Sequence, residues 1–167
     1  MLQEESMGWS SRKRLRLAEH DYSGNGAYFI TVCTHNKVKL FGDVGGNSCA
    51  AQMICDMFEQ TLSRYPQVSC PKYVVMPNHF HALVCIDTMD NTSPATVADV
   101  MRSFKSRPTV EYIRLVKEGK APPFEGKVWK RSYYDHVIRN ERDFQEVWKY
   151  IEENPIKWQL DEMYVLE

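Results

Sequence analysis

The sequence predicts an α+β domain of the ferredoxin-like type: a βαββαβ antiparallel sheet with an added C-terminal helix. Strand-like segments rich in β-branched and aromatic residues alternate with segments whose apolar residues recur every three or four positions. The length of 167 residues suits one domain with its own core. In this split βαβ arrangement two helices cover one face of the sheet, and the other face is left for a site.

The first half of the chain is predicted to hold an arm, a strand and a helix. Residues 1–22 form a basic, polar arm, and a single domain is expected over 23–167. The segment 27–34 (AYFITVCT) predicts a buried strand. After a loop over 42–47, an apolar stripe that begins at Ser48 predicts a helix, which Tyr65-Pro66 ends.

The middle of the chain predicts a hairpin and a second helix. The segment 72–86 (KYVVMPNHFHALVCI) indicates two strands joined by a tight turn at Pro77-Asn78, or one strand with a bulge there. A polar loop over 88–95 offers Thr92 or Ser93 as a helix cap. The helix that follows is expected to be interrupted at Pro108, because the residue before a proline avoids helical geometry.

The last part predicts one strand and the added helix. The segment 128–138 (VWKRSYYDHVI) is typical of a strand. Asn140 is expected to cap the final helix, with Asp143 in the capping-box position, and Pro155 ends it. Phe144, Trp148 and Ile151 form the apolar stripe of this helix.

Composition excludes several classes of protein. No apolar run is long enough to span a bilayer, and no apolar stretch follows the N-terminal charges as a signal peptide would require, so we expect a cytoplasmic protein. The cysteines are odd in number and form no C-x-x-C pair, which disfavours a disulfide framework or a cysteine zinc site. They are Cys33, Cys49, Cys55, Cys70 and Cys85.

The net charge of -1 alone does not suggest a nucleic-acid binder, but basic residues are clustered. Three basic groups could face one phosphate chain, although solvated surface charge is the simpler interpretation. These groups are Arg12, Lys13, Arg14 and Arg16, then Arg102, Lys105 and Arg107, then Lys127, Lys130 and Arg131.

Two short motifs carry candidate chemistry. In a strand, His79 and His81 project from the same face, and neutral imidazoles at this spacing can bind one metal ion. Four residues apart on the last helix, Tyr150 and Asn154 share one face, and a tyrosine can act as a covalent nucleophile. The alternatives are a pair of hydrogen-bonded sheet histidines and a tyrosine that only packs.

Taken together, the two motifs resemble the single-tyrosine HUH transposases, in which HUH denotes two histidines around a bulky apolar residue. The resemblance is closest to the REP-associated tyrosine transposase branch of the IS200-like enzymes, and it covers residues 11–165. It is carried by VVMPNHFHALV, YIEENPIKW, SRKRLRLAEHDYSGNGAYFITVCTHNKVKLFG, FKS and WKRSYYDHVIRNERDF.

The resemblance implies a role for each motif residue. His79, His81 and Asn154 would hold a divalent cation, Mg²⁺ or Mn²⁺, although some relatives carry Gln or His where Asn154 stands. Tyr150, on the added helix, would attack a DNA phosphodiester, keep the 5′ phosphate and release a 3′ hydroxyl. Another 3′ hydroxyl would reverse the reaction and rejoin the DNA. These four residues belong to two motifs that are far apart in the sequence. The fold is therefore expected to bring them around one point.

The expected partner is single-stranded or hairpin DNA, with no membrane and no nucleotide cofactor. Aromatic residues interleaved with basic ones could stack bases along a basic groove. The candidate DNA-binding residues are Arg12, Lys13, Arg14, Arg16, Lys105, Trp129, Lys130 and Arg131, with Tyr133 and Tyr134 beside them. Relatives act as monomers or as dimers that share a site, so a homodimer stays open. The alternatives are a non-cutting DNA-hairpin-binding regulator derived from a transposase, and an HUH replication initiator or relaxase, which is usually larger.

Overall fold

A computed structural model describes residues 26–87 and 95–165 of the chain. Four strands and three α-helices follow the predicted order, with short 3₁₀ turns at His35–Lys37 and Trp158–Leu160. They are β1 (Gly26–Cys33), α1 (Cys49–Leu62), β2 (Val68–Met76), β3 (His79–Ile86), α2 (Val97–Lys117), β4 (Tyr134–Ile138) and α3 (Glu141–Glu153). The arm with Arg12, Lys13, Arg14 and Arg16 lies outside the described residues, as do Thr92 and Ser93.

The sheet has the strand order β2-β3-β1-β4, and each neighbouring pair is antiparallel. This is the order of the predicted ferredoxin-like fold, in which β3 is inserted between β1 and β2. Pro77 and Asn78 form the tight turn between β2 and β3, so the two-strand alternative is correct.

The two faces of the sheet differ in what covers them. Helices α1 and α2 pack on the face that carries Phe80, Ala82 and Val84, and their contacts form the larger core. Aromatic rings fill its centre: Phe58 lies 4.7 Å from Phe80 and 5.0 Å from Phe104, between ring centroids. Truncation of such a buried ring to alanine costs about 3–5 kcal/mol.

Helix α3 packs on the opposite face, which carries the side chains of His79, His81 and Leu83. Its buried residues Val147 and Ile151 contact Phe29 and Leu83 in a smaller cluster. The pleat of β3 therefore separates the structural core from the histidine pair, because successive side chains point to opposite faces.

Four local predictions need correction, two of them in α2. Helix α2 starts one turn later than expected, with Thr96 as its cap in a capping box with Asp99. It also continues through Pro108, because this proline is buried on the same stripe as Phe104 and Tyr112. The burial of this stripe offsets the backbone hydrogen bond that proline cannot make.

The predicted strand 128–138 is shorter than expected. Only Tyr134–Ile138 forms β4, and Trp129 makes an isolated bridge to Thr34. The Lys105 ammonium donates to the carbonyl oxygens of Lys130 and Arg131 at 2.6 and 2.9 Å. The regular ladder with β1 ends at Tyr134, although the backbone N–H of Lys130 still donates to the carbonyl of Cys33 at 2.8 Å.

The predicted N-cap of α3 is confirmed, but the predicted capping box is wrong. The Asn140 side chain accepts a hydrogen bond from the backbone N–H of Asp143 at 2.9 Å. The Asp143 carboxylate accepts instead from the backbone N–H of Arg139 at 3.1 Å and lies 2.9 Å from His136 Nε2. These contacts join the first turn of α3 to β4 and help to set the position of the helix over the sheet.

Candidate metal centre and active site

The register of the sheet brings the histidine pair under α3. Thr31 lies opposite His81, and Cys33 lies opposite His79. Both imidazoles are buried, with relative exposures of 0% for His79 and 3% for His81, and their ring centroids are 4.4 Å apart. Two imidazoles this close can present nitrogen atoms to one point.

The tautomer of His79 is set by Asn78, which is fully buried in the turn. The Asn78 amide nitrogen donates to the carbonyl oxygens of Lys37 at 3.0 Å and Met163 at 2.7 Å. Its amide oxygen therefore faces His79 Nδ1, 2.8 Å away, and an amide oxygen can only accept. Nδ1 of His79 carries the proton, and Nε2 of the neutral ring keeps its lone pair.

His81 is held through its other ring nitrogen. Its Nδ1 lies 2.8 Å from the Thr31 hydroxyl, across the strand pair. Its Nε2 is buried and has no hydrogen-bond partner among residues 26–87 and 95–165. A buried polar atom without a partner is costly, and it is commonly satisfied by a ligand, ion or water.

Helix α3 delivers the second motif to the same point. Asn154 immediately follows the last helical residue, is 3% exposed, and its Oδ1 lies 3.3 Å from His79 Nε2. With His79 neutral, neither atom brings a proton to this contact, so two lone pairs face each other. A cation between them would make the arrangement favourable.

Tyr150 lies beside this group, one helical turn before Asn154. Its ring centroid is 5.4 Å from that of His81, and its ring meets Phe29 edge-on at 5.7 Å. The Asn154 side chain lies close enough to lower the pKa of the Tyr150 hydroxyl, against the larger raising effect of burial. All four motif residues thus meet within a single chain.

A fifth residue, Asp161, was not predicted from the sequence. Its side chain is 2% exposed, and its carboxylate lies 3.7 Å from His79 Nε2 and 2.7 Å from the Asn154 amide nitrogen. The ligand atoms of His79, His81 and Asp161 all lie within 4.8 Å of one another, so this group could hold a metal ion. Asp161 follows a short 3₁₀ turn in an acidic segment without periodicity, and no sequence signal marks it.

The electrostatics of the group suit a cation. Burial lowers the pKa of His79 to about 4, although Asp161 opposes the change, and burial also lowers the pKa of His81 well below its usual value. Both rings are therefore neutral at pH 7, with lone pairs that could bind a cation. Burial, followed by the charges of Asp161 and Glu162, raises the pKa of the Tyr150 hydroxyl. Two imidazoles with amide and carboxylate oxygens suit a hard divalent ion such as Mg²⁺ or Mn²⁺ better than a thiolate site would.

Comparison with known proteins identifies the family. The family described as "Transposase IS200 like" matches residues 23–154, most of the chain. The chain belongs to the IS200-like transposase family. The match ends at Asn154 and so includes both motifs, whereas Asp161 lies beyond it.

This member of the IS200-like family has relatives in sequence and in structure. An uncharacterised protein of Haemophilus influenzae is 30% identical over 95% of this chain and 96% of its own length. Another protein of that organism, named a REP-associated tyrosine transposase, is 23% identical over 82% of this chain and 74% of its own length.

Two solved structures share the fold. A REP-associated tyrosine transposase bound to a REP hairpin has a TM-score of 0.58 at 20% identity, over 89% of this chain and 74% of that chain. A Deinococcus radiodurans protein described as a transposase has a TM-score of 0.52 at 18% identity, over 85% and 97%.

The members of the predicted DNA-binding set that the structure describes are Lys105, Trp129, Lys130 and Arg131. Lys130 and Arg131 are exposed, and Lys105 is half-buried. Trp129 does not offer an exposed ring as expected: it is 5% exposed and packs against Phe41, with ring centroids 5.3 Å apart.

No helix within residues 26–87 and 95–165 has the length and apolar character of a membrane span.

Proposed function

We propose that this transposase is a divalent-metal-dependent enzyme that cuts and rejoins single-stranded hairpin DNA through a covalent bond to Tyr150. The observation that carries the proposal is the meeting of Tyr150 and Asn154 with the buried, acceptor-rich His79 and His81 pair in one chain. Structural similarity to a REP-associated transposase bound to a REP hairpin supports the choice of substrate.

Four residues would hold the cation: His79 and His81 through Nε2, Asn154 through Oδ1 and Asp161 through its carboxylate. The two nitrogen atoms need no deprotonation at neutral pH, because burial keeps both rings uncharged. Mg²⁺ or Mn²⁺ bound there would stabilise the negative charge that develops on the phosphate oxygens. The orphaned Nε2 of His81 and the facing lone pairs of His79 and Asn154 support this assignment.

The Tyr150 hydroxyl must be held in position for attack, because a neutral tyrosine is a weak nucleophile. The edge contact with Phe29 positions the Tyr150 ring, and Asn154 lies one helical turn beyond it. As the tyrosyl oxygen attacks, the Oη–P bond forms, the P–O3′ bond breaks, and the hydroxyl proton leaves to solvent. The departing 3′ oxygen takes up a proton. The bond energy is kept in the 5′ phosphotyrosine, so a 3′ hydroxyl can reverse the step without a nucleotide cofactor.

A trapped covalent adduct tests this proposal. The full chain is incubated with a labelled hairpin that has single-stranded flanks, in Mn²⁺ or Mg²⁺, and a denaturing gel then separates adduct from free DNA. We expect an adduct with the wild type and none with Tyr150→Phe, which keeps the ring and its packing. Tyr164→Phe, a half-buried tyrosine of the C-terminal segment, is the matched control and should keep the adduct. An adduct that persists in Tyr150→Phe contradicts the proposal.

A non-cutting, hairpin-binding regulator is the second candidate, and one observation favours it. Residues 158–165 lie over the histidines: the Trp158 ring centroid is 5.7 Å from that of His79, and Met163 accepts from Asn78. A phosphate can reach the buried ligands only if this segment moves. Tight hairpin binding with no adduct in either metal, across several hairpins, would favour the regulator.

A further inference from the structure

Two consecutive residues of the turn after β1, Asn36 and Lys37, have a left-handed backbone, each with a φ angle of 56°. Asparagine adopts this conformation readily because its short polar side chain can bond locally, whereas lysine rarely does. A residue stays in this region only where its surroundings fix it, and such residues cluster at functional sites. The surroundings of Lys37 connect this turn to the metal centre.

The backbone of Lys37 is held by the residue that sets the tautomer of His79. Its N–H donates to the carbonyl of Thr34 at 3.3 Å, and its carbonyl accepts from the Asn78 amide nitrogen at 3.0 Å. The amide oxygen of Asn78 lies 2.8 Å from Nδ1 of His79. A single side chain, that of Asn78, therefore fixes Lys37 relative to the histidine.

The side chain of Lys37 is exposed and reaches towards the same site. Its ammonium donates to the carbonyl oxygen of Glu162 at 3.3 Å. Glu162 follows Asp161, whose carboxylate lies 3.7 Å from Nε2 of His79. The Lys37 ammonium makes no ion pair with a carboxylate among residues 26–87 and 95–165. Within this part of the chain, a positive charge thus stands beside the site and is bonded only to a neutral oxygen atom.

That oxygen atom belongs to the C-terminal segment 158–165, which must move before a phosphate can reach the histidines. Trp158 of this segment covers His79, with ring centroids 5.7 Å apart. Movement of the segment takes the Glu162 carbonyl away from Lys37 and leaves the ammonium facing the vacated space. A phosphate oxygen carries negative charge, so it is a stronger acceptor for an ammonium than the carbonyl it replaces.

We propose that Lys37 is a catalytic residue of the cleavage reaction and that its ammonium donates to a non-bridging oxygen of the phosphate that Tyr150 attacks. The other non-bridging oxygen is left to the divalent ion. Negative charge builds up on these oxygens in the transition state, so a donor held there accelerates the reaction more than it strengthens DNA binding. Lys37 transfers no proton and forms no covalent bond. The inference rests on the proposed function, which supplies the reaction.

The rate of adduct formation in a single turnover tests the role of the charge. The labelled hairpin that gives the Tyr150 adduct is mixed in Mn²⁺ with a saturating excess of the full chain, and its affinity is measured separately in EDTA. Lys37→Met keeps the stem of the side chain and removes the charge. We expect its rate to fall about 100-fold or more, as when one oxyanion donor is removed, with little change in affinity. Lys37→Arg should recover most of the rate, because a guanidinium also donates to phosphate.

The direction of the change separates catalysis from a structural role. If Lys37 only held the C-terminal segment, loss of its contact with Glu162 would free the site, and Lys37→Met would react as fast as the wild type or faster. Lys39→Met is the matched control, because Lys39 lies in the same connection and contacts the same segment, 5.7 Å from the centroid of the Tyr164 ring. A rate for Lys37→Met at or above that of Lys39→Met overturns the inference, as does a loss of affinity with an unchanged rate at saturation.

Stereospecific sulfur substitution identifies the oxygen that Lys37 contacts. Two hairpins are prepared, each with sulfur in place of one non-bridging oxygen of the scissile phosphate. We expect one of the two substitutions to slow the wild type and to have no further effect in Lys37→Met, because the contact that it weakens is already lost. A variant that is only less stable would show both sulfur effects unchanged. Effects of Lys37→Met that add fully to those of both substitutions overturn the inference.

The two proposals fail in different ways. If the wild type forms the Tyr150 adduct and Lys37→Met forms it equally fast, Lys37 has no catalytic role and the cleavage proposal stands. If the wild type forms no adduct with either metal, the cleavage proposal fails and the role of Lys37 fails with it.

Discussion

Nδ1 of His79 lies 2.8 Å from the amide oxygen of Asn78, whose amide nitrogen is held by two backbone carbonyls. The orientation of the Asn78 amide, and with it the tautomer of His79, is therefore determined by the backbone around the turn. Partners of this kind orient a metal-binding imidazole and tune its basicity.

Asn78→Ala should lower divalent-metal affinity by about 10–100-fold, because Nδ1 of His79 loses its acceptor and the ring can adopt the other tautomer. Mn²⁺ titration calorimetry measures the affinity, and ¹⁵N NMR of the histidine ring reports the tautomer. Asn47→Ala, in an exposed loop, is the control. Unchanged Mn²⁺ affinity with an unchanged tautomer in Asn78→Ala would show that the turn has no part in metal binding.

His79→Ala and His81→Ala should each abolish metal-dependent adduct formation, because each removes one of two neutral nitrogen ligands. Their effect on the fold should be smaller than that of a change in the main core, since both rings face α3 and not α1 or α2. The measurements are adduct yield at limiting Mn²⁺ and thermal melting. His35→Ala, outside the cluster, should behave like the wild type. A variant at either position that keeps full activity at limiting metal would refute the ligand assignment.

Asp161→Asn should weaken Mn²⁺ binding about tenfold or more, because it removes the charge nearest His79 while it preserves the shape of the side chain. Glu162→Gln is the matched control, since it removes a neighbouring acidic charge that is exposed. Calorimetry measures the Mn²⁺ affinity of both variants. A loss in Asp161→Asn alone indicates that Asp161 binds the metal, whereas a general effect of negative charge would lower the affinity in both. An equal loss of Mn²⁺ affinity in the two variants would show that Asp161 contributes only its negative charge and is not a ligand.

Metal-free protein should become less stable as the pH falls from about 6.5 towards 4. The folded-state pKa of His79 is about 4 and that of His81 is also lowered, so the unfolded chain binds more protons in this window. The contribution of these histidines to the free energy of unfolding is therefore complete above the usual histidine pKa, and it decreases as the pH falls from about 6.5 towards 4. Urea unfolding in EDTA at pH 7 and pH 5 measures the change, and His79→Gln should reduce it. An identical pH dependence in that variant would assign the effect to other groups.

Local patterns predicted much of what surrounds the site. Alternation along 79–86 correctly put both histidines on the face opposite Phe80, because strand periodicity is a property of the backbone. The spacing of Tyr150 and Asn154 likewise follows from helical geometry. Pro108 was mispredicted because a tertiary contact, the buried stripe of α2, outweighed local preference. The 128–138 segment was also mispredicted, since only Tyr134–Ile138 pairs regularly with β1.

By itself, the sequence determined the order of the elements, the ferredoxin-like class and the pairing of residues within each motif, since all of these follow from short-range geometry. Only the tertiary structure decided that His79 and Asn154, which are 75 positions apart, lie 3.3 Å from each other. The tertiary structure also showed that Asn78 and Asp161 lie next to His79 and that Trp129 is buried. No local periodicity encodes these contacts, because they depend on how α3 and the C-terminal segment pack over the sheet, and that packing is set by the burial of Val147, Ile151 and Trp158.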